Sequence, residues 1–314
     1  MNNSRIKIIN ACFDFGAGTL GAKLGPESVF TAARELGHSF LNKTETQFLH
    51  PPHQSEEINS QLLPLARRID DIIAANRQNY NEMLHSCKSG YTPLILSGDH
   101  SNAIGFISAV IDAFPAKRTG VIWVDAHLDL HSPYTTPSGN IHGMALNALI
   151  GDDNIIEQVN NPDEVTLSKW SLLKSCGELK TGNGPLAQDI VFIGIRDFEE
   201  QEIKLAQRLG IKIFSASEVR ETGISNILTE TLSYLSHCDQ LYVSFDVDSQ
   251  DPEISRGTGT PVENGLLTPD SQEIFDRLFT NDKTVAFEIT EINPLLDTEN
   301  KMAKSVVNLL KRVM

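Results

Sequence analysis

No apolar run in this chain approaches the roughly 20 residues a membrane-spanning helix needs. The opening MNNSR leads into IKIINACF without a basic leader or a small-residue cleavage site. Basic residues are in deficit, with 26 Lys and Arg against 41 Asp and Glu, a formal charge of −15. That balance argues against nucleic acid or an anionic membrane as a partner and suits a small cationic molecule. Cysteine is scarce: Cys12, Cys87, Cys176 and Cys238 lie far apart, with neither CxxC nor zinc-finger spacing. Buried reduced thiols and a cytoplasmic location are therefore expected. No repeat, low-complexity tract or linker interrupts the 314 residues, so residues 1–314 read as one domain.

What is present is an alternation of two patterns. Short β-rich runs read as strands: IKIINACF (6–13), TPLILSG (92–98), GVIWVDAH (120–127), DIVFIGIR (189–196), KIFSA (212–216), QLYVSFDVD (240–248) and TVAFEIT (284–290). Amphipathic stretches at 57–88, 101–114, 199–209, 223–237, 270–280 and 299–313 read as helices, with Asp297 and Thr298 as candidate caps for the last. The rhythm predicts an α/β fold whose parallel sheet is covered on both faces. The polar stretch 151–185 reads as an irregular surface excursion. Ligands of such sheets bind at the carboxyl ends of the strands. There the sequence collects SGDHS, DAHLDLH, IRDFEEQE, FDVDSQDP and TEINP.

One motif points elsewhere. GAGTLG (16–21) fits the G-x-G-x-x-G pattern after the first strand and suggests a dinucleotide site. Pro26 delays the following helix, so the last glycine does not open it as a phosphate cradle requires. A flexible loop near the pocket rim is the better reading.

VDAHLDLHS (124–132) sets Asp125, His127, Asp129 and His131 at alternate positions. On a continuing strand they share one face, where unpaired carboxylates are costly and a cation is needed. Adding His100 from SGDHS and Asp246 and Asp248 from FDVD gives an oxygen and nitrogen donor set without thiolates, suited to hard or borderline divalent ions. Four aspartates balance two such ions. A pair of ions acidifies a shared water, so hydrolysis is the implied reaction type.

Motifs along nearly the whole chain carry a resemblance: LGPESV, SGDHS, WVDAHLDLHSPYTTPSGNIHGMAL, IGIRDFEEQE, SFDVDSQDP, GTGTPVENGL and EITEINP, in that order. The chain resembles the ureohydrolase superfamily and, within it, the arginases. The resemblance implies a three-layer α/β/α sandwich with a mostly parallel eight-stranded sheet, two Mn²⁺ ions per subunit (Co²⁺ accepts the same ligands) and a homo-oligomer as one option for assembly. It implies His100, Asp125, His127, Asp129, Asp246 and Asp248 as metal ligands. Asp129 would also carry a proton to the leaving amine, and His142 would relay protons to and from solvent. Glu291 would pair with a guanidinium supported by Thr260. Thr136 and Ser138 would hold an α-carboxylate, and Glu199, backed by Glu202, would face an α-amino group. His131 falls where many arginases have an asparagine that contacts the α-carboxylate, so a substrate-facing role is expected of it. Arg196 and Asp197 read as a structural ion pair. Ser97 stands where the family usually has glycine, a tolerable change unless that position needs positive φ. The implied reaction is hydrolysis of L-arginine to L-ornithine and urea. Its rivals are hydrolysis of agmatine, guanidinobutyrate or formiminoglutamate, metal-dependent binding without turnover, and dinucleotide-dependent redox chemistry.

Overall fold

The apolar runs pair into one sheet in the computed structural model, which describes residues 5–51, 63–176 and 185–314. Its strands are β1 (Arg5–Ala11), β2 (Glu45–Leu49), β3 (Tyr91–Ser97), β4 (Thr119–Val124), β5 (Ile190–Ile195), β6 (Lys212–Ser215), β7 (Gln240–Asp246) and β8 (Thr284–Thr290). They lie in the order β2-β1-β3-β8-β7-β4-β5-β6, with all pairs parallel. β2 has no counterpart in the sequence reading. Its ETQFL is an edge strand of alternating exposed and half-buried residues, without the apolar run that marks the others.

Burial on both faces explains those runs. All six residues of β4 are buried. Val121 and Trp123 join the core beneath helices Ile69–Lys88 and Ala103–Ala113, while Ile122 and Val124 join the opposite core, beneath Gly25–Glu35 and Lys301–Leu310. Two helical layers thus enclose the sheet.

Several boundaries differ from expectation. The helix read at 57–88 is Ile69–Lys88, and its predicted residues 57–62 lie outside the described residues. The excursion 151–185 contains an ordered helix, Glu164–Lys174, capped by the Asp163 side chain accepting from Thr166 N at 2.7 Å; residues 177–184 lie outside the described residues. The last helix starts after Asn300, which is left-handed at φ 57 and gives no side-chain cap. Asp297 still serves that end, its Oδ2 accepting from Met302 N at 2.7 Å. All four cysteines are free, three buried and Cys176 half-buried. No helix among the described residues is long and apolar enough to cross a membrane.

Ser97 has ordinary negative φ, so replacing glycine there carries no strain. Gly98 is different, because a Cβ on it would lie 2.0 Å from the Phe13 carbonyl oxygen. Gly98→Ala is expected to push the following Asp99–His100 turn out of place and to destabilise the protein by about 1–3 kcal/mol. Urea unfolding of the purified variant measures it; an unchanged midpoint contradicts the close approach.

Candidate metal centre and pocket

Four adjacent central strands, β3, β8, β7 and β4, deliver the polar residues at their carboxyl ends. His100 opens the turn after β3, Asp125 directly follows β4, Asp246 ends β7 and Glu291 directly follows β8. β4 stops at Val124, so the alternating DAHLDLH segment is not a strand. The Asp125–His127 spacing instead comes from the side chain of the aspartate accepting from the amide two residues on. Asp125 Oδ1 accepts from His127 N, and Asp246 Oδ1 from Asp248 N, each at 2.7 Å. Asp99 does the same for Ser101 N at 2.8 Å. Asp129 and Glu291 sit at φ 51 and 66, left-handed conformations that cost of order 1–3 kcal/mol and gather at functional sites.

The six predicted ligands converge. His100 Nδ1 lies 3.1 Å from Asp125 Oδ2, 3.1 Å from Asp129 Oδ2 and 3.2 Å from Asp246 Oδ2. His127 Nδ1 lies 3.4 Å from Asp125 Oδ1 and 3.1 Å from Asp248 Oδ2. Asp125 thus belongs to both groups, and donor atoms within each set lie within 4.8 Å of one another. His100 Nδ1 and Asp125 Oδ2 are buried without completing a hydrogen bond. A cation between these two buried atoms would satisfy both. The ionisation pattern agrees. Burial and then the neighbouring Asp248 and Asp125 carboxylates push Asp246 well above its usual range. His100 rises well above its own range, since three close carboxylates outweigh a burial that opposes charge. An ion-free centre therefore draws protons where divalent cations fit.

The remaining predicted residues line a cavity of about 130 Å³ open to solvent beside this cluster. His131 is not among the two ligand groups. Its Nε2 lies 2.9 Å from Glu199 Oε2 and 3.4 Å from Glu202 Oε2, and its Nδ1 lies 3.1 Å from Thr135 Oγ1. Burial raises the Glu202 carboxyl to about 8, whereas the hydrogen bond from His131 lowers Glu199 to about 2. Glu199 and Glu202 also form a capping box at the start of helix Glu200–Leu209. Thr136 Oγ1 accepts from Ser138 N at 3.3 Å and Gly139 N at 2.9 Å, which shapes the turn that presents Ser138. Thr260 Oγ1 donates to Asp248 Oδ2 at 3.0 Å.

His142 Nδ1 meets Glu291 Oε1 at 3.0 Å, and the same oxygen accepts from His100 N at 3.0 Å. Burial opposes a charge on His142, but the Glu291 carboxylate prevails and raises its pKa to about 9. In the ion-free protein, histidine NMR is expected to give that value, and Glu291→Gln to lower it toward the ordinary range. Because folding raises this pKa, the pair's stabilisation is complete below about pH 6.5 and is lost as pH rises through about 9. A His142 titration unmoved by Glu291→Gln contradicts the pairing.

Two readings need correction. Arg196 and Asp197 make no ion pair: Arg196 donates to main-chain carbonyls, including those of Gly194, Asp248 and Val262 at 3.1, 2.7 and 2.8 Å. Asp197 instead lies 3.7 Å from His127 Nε2, on the side of the ring away from the ligand group. The GAGTLG loop is pinned rather than flexible. Gly16 N donates to Asp99 Oδ2 and Gly21 N to Asp14 Oδ2, each at 2.7 Å, while Arg68 holds the Phe15 and Ala17 carbonyls at 2.8 and 2.5 Å. Amides already committed to carboxylates are unsuited to a phosphate.

Trp123 and Ser244 were missed from sequence, and Asp197 was read only as a partner of Arg196. Trp123 stacks on the His100 ring with centroids 3.8 Å apart and planes 8° apart. Their signal is spatial, in that each touches a ligand residue from another strand or loop.

Comparison with known proteins follows the same lines. The Arginase family profile matches residues 4–314. An arginase of Brevibacillus brevis is 31% identical over 317 residues, covering 99% of this chain and 98% of its own. The crystal structure of arginase from Bacillus cereus superposes with a TM-score of 0.80 at 28% identity, over 99% of this chain and 98% of that one. Arginase of Entamoeba histolytica in complex with L-ornithine superposes with a TM-score of 0.82 at 25% identity, over 100% and 99%.

Proposed function

This chain belongs to the arginase family, and from that premise we propose that it hydrolyses L-arginine to L-ornithine and urea at a centre of two Mn²⁺ ions. The observation that carries the reading is the pairing of two ligand groups through Asp125, with Glu291 beside them in one pocket. His100, Asp125, Asp129 and Asp246 would hold one ion, and Asp125, His127 and Asp248 the other. When bound, two divalent ions balance the four aspartates and acidify water near neutral pH.

The chain's own residues do the rest. Glu291 spends Oε1 on His142 and His100, which leaves Oε2 for a guanidinium. Thr260, fastened to Asp248, steadies that end. Asp129, buried and raised by its surroundings, chiefly burial and then Asp125, suits a proton carrier between water and the leaving amine. His142, with its side chain 18% exposed at the pocket wall, exchanges protons with solvent. At the far end Thr136 and Ser138 offer hydroxyls to an α-carboxylate, while Glu199, with its side chain 51% exposed, faces an α-amino group across from His131. His131→Asn is expected to leave metal content unchanged and to alter the KM for arginine; loss of an ion would make it a ligand instead.

A substrate panel tests the choice. Urea release is expected from arginine, and at least 100-fold less from agmatine, which lacks the α-carboxylate and leaves those hydroxyls unpaired. Equal or faster turnover of agmatine, guanidinobutyrate or formiminoglutamate contradicts it. The reading includes a single domain, a cytoplasmic location, for which four free thiols suit a reducing compartment, and a homo-oligomer open to sedimentation analysis.

A further inference from the structure

A carboxylate with no part in the chemistry above lies directly beneath the metal centre. Glu288 on β8 is fully buried, opposite Ser244 of β7 in the sheet register. A fully buried carboxylate inside a sheet is costly unless it is paired or hydrogen-bonded. Its Oε2 accepts from Tyr242 Oη at 2.8 Å and from Ser244 Oγ at 3.0 Å, while Oε1 is buried without a hydrogen-bond partner. Ser244 Oγ in turn lies 2.7 Å from Nε2 of His100.

A serine hydroxyl has one hydrogen. If Ser244 donates it to Glu288, its oxygen has only lone pairs to offer His100, and Nε2 must carry the imidazole hydrogen. Nδ1 is then the bare nitrogen, and it is Nδ1 that faces Asp125, Asp129 and Asp246. The Trp123 ring stacked on the other side fixes the plane of the imidazole. We propose that Glu288 is a positioning residue for the metal centre: through Ser244 it selects the His100 tautomer whose Nδ1 lone pair points at the ion. Glu288 itself touches neither ion nor substrate. Tyr242 holds the carboxylate in the rotamer that reaches Ser244. The inference rests on the reading of His100 as a ligand.

Mn²⁺ titration of chelator-stripped protein, followed by calorimetry and electron paramagnetic resonance, tests it without turnover. Ser244→Ala is expected to weaken the ion beside His100 by about 10- to 100-fold, the usual effect of removing a group that orients a ligand histidine. The ion beside His127 and Asp248 should change by less than about three-fold. Glu288→Gln, which keeps an acceptor oxygen but loses its charge, should weaken the first ion less. The double variant should be no weaker than Ser244→Ala alone, because the chain is already cut. Tyr242→Phe removes a single hydroxyl and keeps the test open should the others fold poorly; a loss of about two- to five-fold at the first ion is expected. Unchanged affinity in the variants that fold, equal losses at both ions, or additive losses would overturn the proposal. A wild-type protein that binds no Mn²⁺ overturns the metal reading itself, whereas wild-type binding with unaffected variants overturns only the role of Glu288.

Discussion

Asp125→Ala is expected to empty both ion positions and to end urea release. Asp125 is the one carboxylate shared by the two ligand groups, with Oδ2 beside His100 and Oδ1 beside His127. Removing it breaks a buried, charge-balanced cluster from the middle, a change worth about 3–5 kcal/mol where one partner of a buried pair is lost. A fall in kcat/KM of at least roughly 10³ is expected, together with loss of both ions by elemental analysis. The stripped protein also loses stability: burial opposes the Asp125 charge, but His100 and His127 prevail and hold its carboxyl well below the usual range, and Asp125→Ala removes those contacts. Calorimetry of the stripped proteins should therefore find the variant less stable than wild type but still folded at the assay temperature, so that ion loss and unfolding are read separately. A variant that keeps both ions and a tenth of the activity would remove Asp125 from the centre.

Glu291→Gln should lose activity by a different route, with both ions retained. Glu291 is not one of the six ligands; its Oε1 meets His142 Nδ1 and accepts from the main-chain N–H of His100. An amide is isosteric and neutral, so the fold tolerates it while the guanidinium loses its counter-charge. Loss of a charged partner in a buried site corresponds to about 10²–10³ in kcat/KM for arginine. The split between ion content, unchanged, and turnover, lost, separates this residue from Asp125. Glu291→Gln with near wild-type kcat/KM, or with a lost ion, contradicts the assignment.

Much of this site was readable because its residues cluster at strand ends, a rule of topology rather than of any one motif. Seven strands announced themselves through apolar runs that both faces of a parallel sheet require, and β2 did not, because an edge strand needs no such run. The two-residue spacing of DAHLDLH and DVD was informative for the wrong reason. At Asp125–His127 and Asp246–Asp248 it records aspartate side chains bonding to the amide two residues on, not the pleat of a strand. The αL backbone of Asp129 and Glu291 was invisible, since neither residue is a glycine that would mark it. Partners such as Asp197, Trp123 and Ser244 were illegible for another reason: each acts across a gap of sequence on a residue delivered by a different strand. His131 was set apart from the ligand groups on the resemblance, its partner Glu199 came from the same source, and the bond between them came only from geometry.

The most direct measurement of the central claim is urea and ornithine release from L-arginine by chelator-stripped protein during stepwise Mn²⁺ addition. The account predicts no release without metal, activity rising to a plateau at two ions per chain, and equimolar ornithine and urea. Full activity in the stripped protein, or no urea with both ions bound, would contradict it.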